Sequence, residues 1–133
     1  MTQVDTCDIF FAMNDSVLWI ASSKFNKPIR LNRTTWEDKL LKEHPEFALN
    51  PAYLDELRKT IEDPEFIVEG WKEEYLALRW CNFAPKTEKY LCVVYREFEK
   101  DGFVITAFFI SRYGRLLRRK IRWQKSPWLK SLN

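Results

Sequence analysis

The chain has 133 residues, room for one core of the commonest domain size rather than two. Apolar residues make up 46% and charged residues 31%, which argues against wholesale disorder and a coiled coil, and no apolar run approaches the roughly 18 to 20 residues of a transmembrane helix. The net charge of +3 conceals an asymmetry: residues 111–133 carry eight basic side chains (Arg112, Arg115, Arg118, Arg119, Lys120, Arg122, Lys125, Lys130) and no acidic one, leaving 14 basic against 19 acidic in residues 1–110. Such a block is an electrostatic footprint for a polyanion, though it could equally dock on the chain's own acidic half or on an acidic partner.

Ile9 to Met13 and Val17 to Ala21 are short apolar runs separated by Asn14-Asp15-Ser16, which predicts a hairpin. A further extended piece, Pro28 to Leu31, leads to Asn32 and Thr34. Either can cap a helix bearing Trp36, Leu40 and Leu41, which should stop at His44-Pro45 because proline disfavours helical geometry in the residue before it. Asn50-Pro51 opens a second helix with Leu54, Leu57 and Ile61 on one face, and Asp63-Pro64 closes it.

From Glu65 the period changes to two. Phe66 to Val68 starts the sheet. Tyr75 to Trp80 divides into Leu76, Leu78 and Trp80 against Tyr75, Ala77 and Arg79, and Leu91 to Phe98 into Leu91, Val93 and Tyr95 against Cys92, Val94 and Arg96. Asp101-Gly102 marks the turn into Phe103 to Ile110, a strand apolar on both faces apart from Thr106. The tail reads as a strand with Leu117, Arg119, Ile121 and Trp123 on one side and Arg118, Lys120 and Arg122 on the other; a helix over 115–124 is the alternative. The expected architecture is therefore an α+β domain: an N-terminal hairpin and two helices packed on a four- to five-stranded antiparallel sheet. It divides into a β extension over 1–31, a core over 32–125 and a tail over 126–133.

Three cysteines, Cys7, Cys81 and Cys92, without CxxC spacing predict free thiols in a reducing compartment, and Met1 to Ala12 lacks the pattern of a secretory signal. A cytoplasmic location is expected. No phosphate loop, nucleophile elbow or zinc motif is present, and with His44 the single histidine, a protein-held metal or cofactor is not expected. One imidazole with several strand arginines matches metal-free RNA cleavage. There a base takes the ribose 2′-hydroxyl proton while guanidinium groups steady charge on the phosphate. Arg79, Arg96, Arg118 and Arg122 are the strand arginines concerned. The plainer readings are a helix-terminal histidine favoured by the macrodipole for His44, a hydroxyl bonded to a carbonyl for Thr106, and solvated surface charge for each arginine.

The string Trp36 to Phe47 (WEDKLLKEHPEF), the helix end Thr60 to Glu65, the strand Tyr90 to Tyr95 and the strand Gly102 to Phe108 together resemble phage-associated nucleases of the barnase, EndoU, colicin and RelE-like fold. The resemblance covers roughly Leu31 to Trp123. It implies an endoribonuclease acting as a toxin or mobile-element effector, with an antitoxin protein as partner. By position, His44, Arg96 and Thr106 become the catalytic candidates, with Arg79, Arg118, Lys120 and Arg122 on RNA phosphates. Where members of the family often carry a second histidine, two residues after the helix tryptophan, this chain has Asp38. The rival expectation is a non-catalytic RNA-binding or protein-interaction module on the same scaffold, without a membrane role.

Overall fold

A computed structural model describes residues 16–85 and 89–125. The first run of the expected N-terminal hairpin, Ile9 to Met13, and the tail over 126–133 lie outside them. Val17 to Ala21 does form a strand, β1 (Val17–Ser22), but its partner among the described residues is β2 (Pro28–Asn32). The turn between them places Asn26 in the left-handed region, φ 63°, a geometry asparagine tolerates better than most residues. Ser23 Oγ accepts from the Phe25 and Lys27 amides and steadies it.

The first helix, α1, is short: a π-helical stretch, Thr35–Leu40, continues into Leu41–Glu43 and stops at His44, as Pro45 demands. A single 3-10 segment, Pro45–Leu49, connects it to α2 (Ala52–Glu62), whose first free amide, that of Ala52, donates to Asn50 Oδ1 at 2.9 Å. After α2 come β3 (Phe66–Glu69), β4 (Glu74–Trp80), β5 (Tyr90–Glu97) and β6 (Gly102–Ile110). A 3-10 turn, Leu116–Arg118, precedes β7 (Ile121–Gln124).

These strands form one seven-stranded sheet in the order β1-β2-β6-β5-β4-β3-β7. That corrects the expected four- to five-stranded antiparallel sheet carrying two packed helices, and with it the barnase/RelE-like architecture. The physical reason is the parallel pairing of β2 with β6, Ile29 beside Gly102 and Arg30 beside Phe103, which splices the β1–β2 hairpin into the sheet and makes it mixed. Gly102 permits the junction, since a Cβ there would lie 2.0 Å from the Arg96 carbonyl oxygen and 2.8 Å from Ile29 Cδ1.

The sheet separates two apolar clusters. On the helical face Leu40, Phe47, Tyr53, Leu57 and Ile61 meet Ile67, Ala77, Leu91, Val93, Tyr95 and Val104. On the other face lie Phe66, Val68, Leu76, Leu78, Cys92 and Val94. The second face is crossed by residues 111–120, which run from the end of β6 past β5 and β4 to the outer side of β3, with Leu117 as the buried anchor. We call this segment the strap. Its course corrects the tail reading. Leu117 sits in a 3-10 turn, and a bulge opposite Ile67 and Val68 sends Ile121 to the strap-side cluster and Trp123 to the helical one, so the two do not share a face.

Candidate nucleic-acid interface

Period two fixes which side chains reach the strap side. On β5 Leu91, Val93 and Tyr95 turn to the helices, and Cys92, Val94 and Arg96 to the strap. On β6 a bulge between the Val94 and Tyr95 pairings places Thr106 opposite Val94 and Phe108 opposite Cys92, so both lie on the strap side. The same alternation puts Arg79 with Ala77 on the helical face, where its Nη1 donates to Glu56 Oε1 at 2.8 Å. Glu56 is buried on α2, so the Arg79 charge is engaged in holding helix to sheet.

Arg96 donates through Nη2 to Glu74 Oε2, also at 2.8 Å, and its Nε is buried without a partner among the described residues. His44 ends α1 at the side of β6. Its ring centroid lies 6.3 Å from that of Phe47 and 6.4 Å from that of Phe108, and its Nδ1 is 3.7 Å from Glu46 Oε2. Phe108 pairs with Cys92, and Arg96 is four residues farther along β5. At about 3.3 Å per residue that separates the neighbourhoods of His44 and Arg96 by about 13 Å along the strand. Thr106 stands between the two rows. His44 therefore stands at the edge of β6, between Phe47 of the helical face and Phe108 of the strap side, and shares no contact with Arg96.

The strap concentrates charge. Arg112, Arg115, Arg118, Arg119 and Lys120 are all exposed. Arg122 pairs with Glu69 at 3.0 Å and Lys125 with Asp63 at 3.2 Å, yet among the described residues no carboxylate pairs with Arg112, Arg115, Arg118 or Lys120. Arg119 Nη1 donates to the Glu69 carbonyl at 3.4 Å. Burial pushes the Cys92 thiol up to about 12, and the nearby Arg119 charge opposes the rise.

Beside the first part of the strap runs a groove bounded by Tyr90, Ile110, Arg112, Tyr113, Arg115 and Arg118. Tyr90 and Tyr113 stack with centroids 4.9 Å apart and planes 19° apart. Trp80, 46% exposed, meets Tyr90 edge-on at 5.2 Å, and Phe66 supports Tyr113 from the sheet. Burial and the neighbouring Tyr113 push the Tyr90 phenol up, so the Tyr90 ring is neutral at physiological pH.

Comparison with family models, with curated proteins and with solved structures returns no match to this chain.

Function must therefore be argued from the site alone. Among the described residues no group of three or more His, Cys, Asp or Glu could hold a metal ion, and no helix is long and apolar enough to cross a membrane. Two features of the strap side had weak signals in the sequence. Trp71, in Gly70-Trp71-Lys72-Glu73, stands 71% exposed at the turn between β3 and β4, and Glu74 opens β4 as the partner of Arg96. A tryptophan next to glycine between two strands was the available clue.

Proposed function

We propose that the protein binds single-stranded RNA along the strap. The supporting observation is the set of exposed cations at Arg112, Arg115, Arg118 and Lys120, which lack carboxylate partners among the described residues and flank an aromatic row of Trp80, Tyr90 and Tyr113. Cations that serve folding are matched by acids, as Arg79 is by Glu56 and Arg96 by Glu74. Cations left to solvent beside stacked rings suit a strand with phosphates on one side and unstacked bases on the other.

Anisotropy titration of a labelled single-stranded RNA over a range of salt tests this. Changing Arg112, Arg115, Arg118 and Lys120 to Gln should flatten the slope of log affinity against log salt by about 3, at roughly 0.7 per phosphate contact on a single strand. An unchanged slope would move the interface off the strap, and equal affinity for single-stranded DNA would remove any role for the 2′-hydroxyl.

A second reading, a metal-independent endoribonuclease acting as a toxin held in check by an antitoxin protein, is favoured by one observation. His44 is only partly buried and lies beside Phe108, a residue on the same side of the sheet as Thr106 and Arg96. For this reading, RNA should be cut in excess EDTA to 2′,3′-cyclic phosphate or 3′-phosphate ends. His44→Ala should slow cutting by about 10² to 10⁴ while RNA binding persists. Intact RNA after long incubation with the parent protein, ribosomes supplied, leaves binding without cleavage.

A further inference from the structure

At the far end of the strap a second cleft opens into the same face. Its apolar walls are Trp71, Leu76, Val94 and Phe108, and its polar groups are Glu74 and Arg119. Gly70 forms part of the lining, where a Cβ would lie 2.7 Å from Leu76 Cδ1. The volume, about 280 Å³, falls below the roughly 300 to 1,000 Å³ of sites that enclose a whole small molecule, so the cleft suits one flat ring system.

Three features make it a site rather than a surface dimple. Trp71 is held 71% exposed on a tight turn closed by Gly70 N to Glu74 O at 2.8 Å and Glu74 N to Trp71 O at 2.7 Å. In that turn Glu73 takes a left-handed φ of 54°, a conformation a glutamate adopts only at some cost. The Glu74 carboxylate is fixed by Arg96 through Oε2, and among the described residues no donor engages its Oε1. Arg119 belongs to both the cleft and the strap, so a strand following the strap cations is carried to the cleft mouth.

We propose that this cleft receives one unstacked base of a bound RNA strand, with Trp71 and Phe108 against its rings, Glu74 Oε1 accepting from its N–H edge and Arg119 on an adjoining phosphate. The proposal rests on the reading of the strap as an RNA-binding surface.

The test uses the full chain and two synthetic eight-nucleotide RNAs, one wholly abasic and one abasic except for a single central base, each titrated by anisotropy. For the parent protein the single base should tighten binding about tenfold, within the range of one base–aromatic stack. Trp71→Ala should abolish that gain, Trp71→Phe should keep most of it, and Leu49→Ala, at an exposed residue outside the strap-side cluster, should leave it intact. Glu74→Gln should change which of the four bases gives the largest gain. A gain lost in Trp80→Ala but kept in Trp71→Ala would overturn the cleft and place the base beside Tyr90, and so would no gain with salt-dependent binding of the abasic strand. If the parent binds neither RNA, the strap reading itself fails, and the cleft with it.

Discussion

Glu56 shows how a single residue separates scaffold from surface. Its side chain is 8% exposed, with Arg79 at 2.8 Å and Lys59 at 3.7 Å. Removing Arg79 leaves a mostly buried carboxylate with the weaker partner. Breaking a fully buried pair costs about 3 to 5 kcal/mol, and because Arg79 is itself partly exposed and Lys59 remains, Arg79→Met should cost about 1 to 3 kcal/mol. Adding Glu56→Gln should recover part of the loss. RNA affinity should be unchanged in the folded variant, and an anisotropy titration that fell with Arg79→Met would return this residue to the phosphate-binding set.

Glu97 carries the clearest pH prediction. Burial raises its carboxyl above the usual range, opposed by the Ser23 hydroxyl and the Lys27 charge. The folded chain thus holds this proton to higher pH than the unfolded chain, so the contribution to stability is present below the ordinary carboxylate range and is lost as pH rises through the raised value. In urea unfolding at pH 4 and pH 7, Glu97→Gln should gain on the parent as pH rises. A pH-independent difference would mean that Glu97 titrates normally.

At the scale of elements, α2 was legible because Asn50-Pro51, the 3- and 4-residue spacing of Leu54, Leu57 and Ile61, and Asp63-Pro64 are all local signals that agree. Leu57 is fully buried, so Leu57→Ala should lose about 2 to 5 kcal/mol in a denaturant titration. The faces of β4 and β5 were legible for the same reason, which is why Arg96 could be set on the side opposite the Tyr95 ring. The β2–β6 junction was not. Its signal is two parallel pairs between residues more than seventy positions apart, and period two says which way a side chain points without saying which strand lies next door. Gly102 was read as half of an Asp-Gly turn, whereas its lack of a side chain also serves the crossing of three strands. Gly102→Ala should therefore cost about 3 kcal/mol, the upper part of the overpacking range, because backbone rather than a flexible side chain would have to move. A loss below 1 kcal/mol would show that the junction yields easily. The strap and β7 escaped a reading by period because a 3-10 turn in the first and a bulge in the second break the repeat. The strap's charge was visible in the sequence and its geometry was not.

For the whole molecule, four of the six strand pairings join neighbours in sequence and two are long-range: the N-terminal hairpin meets β6, and β7 closes the opposite edge against β3. Those two pairings set the pace, because loop closure precedes the contacts that offset it, and sheets that depend on such closures fold in milliseconds to seconds. Stopped-flow refolding should fall in that range. Microsecond folding would mean that α2 and the local hairpins carry more of the stability than the sheet order implies. The candidate interface shares this dependence on the complete topology. Thr106, Arg96, Glu74 and Arg119 come from four different segments and face one another only once β4, β5 and β6 are zipped and the strap lies across them.

The strap is also the last part of the strap-side layer to be made. A ribosome delivers β3 to β6 first, so Phe66, Val68, Leu76, Leu78, Cys92 and Val94 form an uncovered greasy surface until residues 111–120 emerge. At about 5 to 20 residues per second that interval is on the order of a second, long enough for capture by a chaperone or by a neighbouring nascent chain. A message cut short after Ile110 would leave the exposure permanent: its product would carry nearly the whole sheet, lack the strap and its arginines, and be fit mainly for degradation.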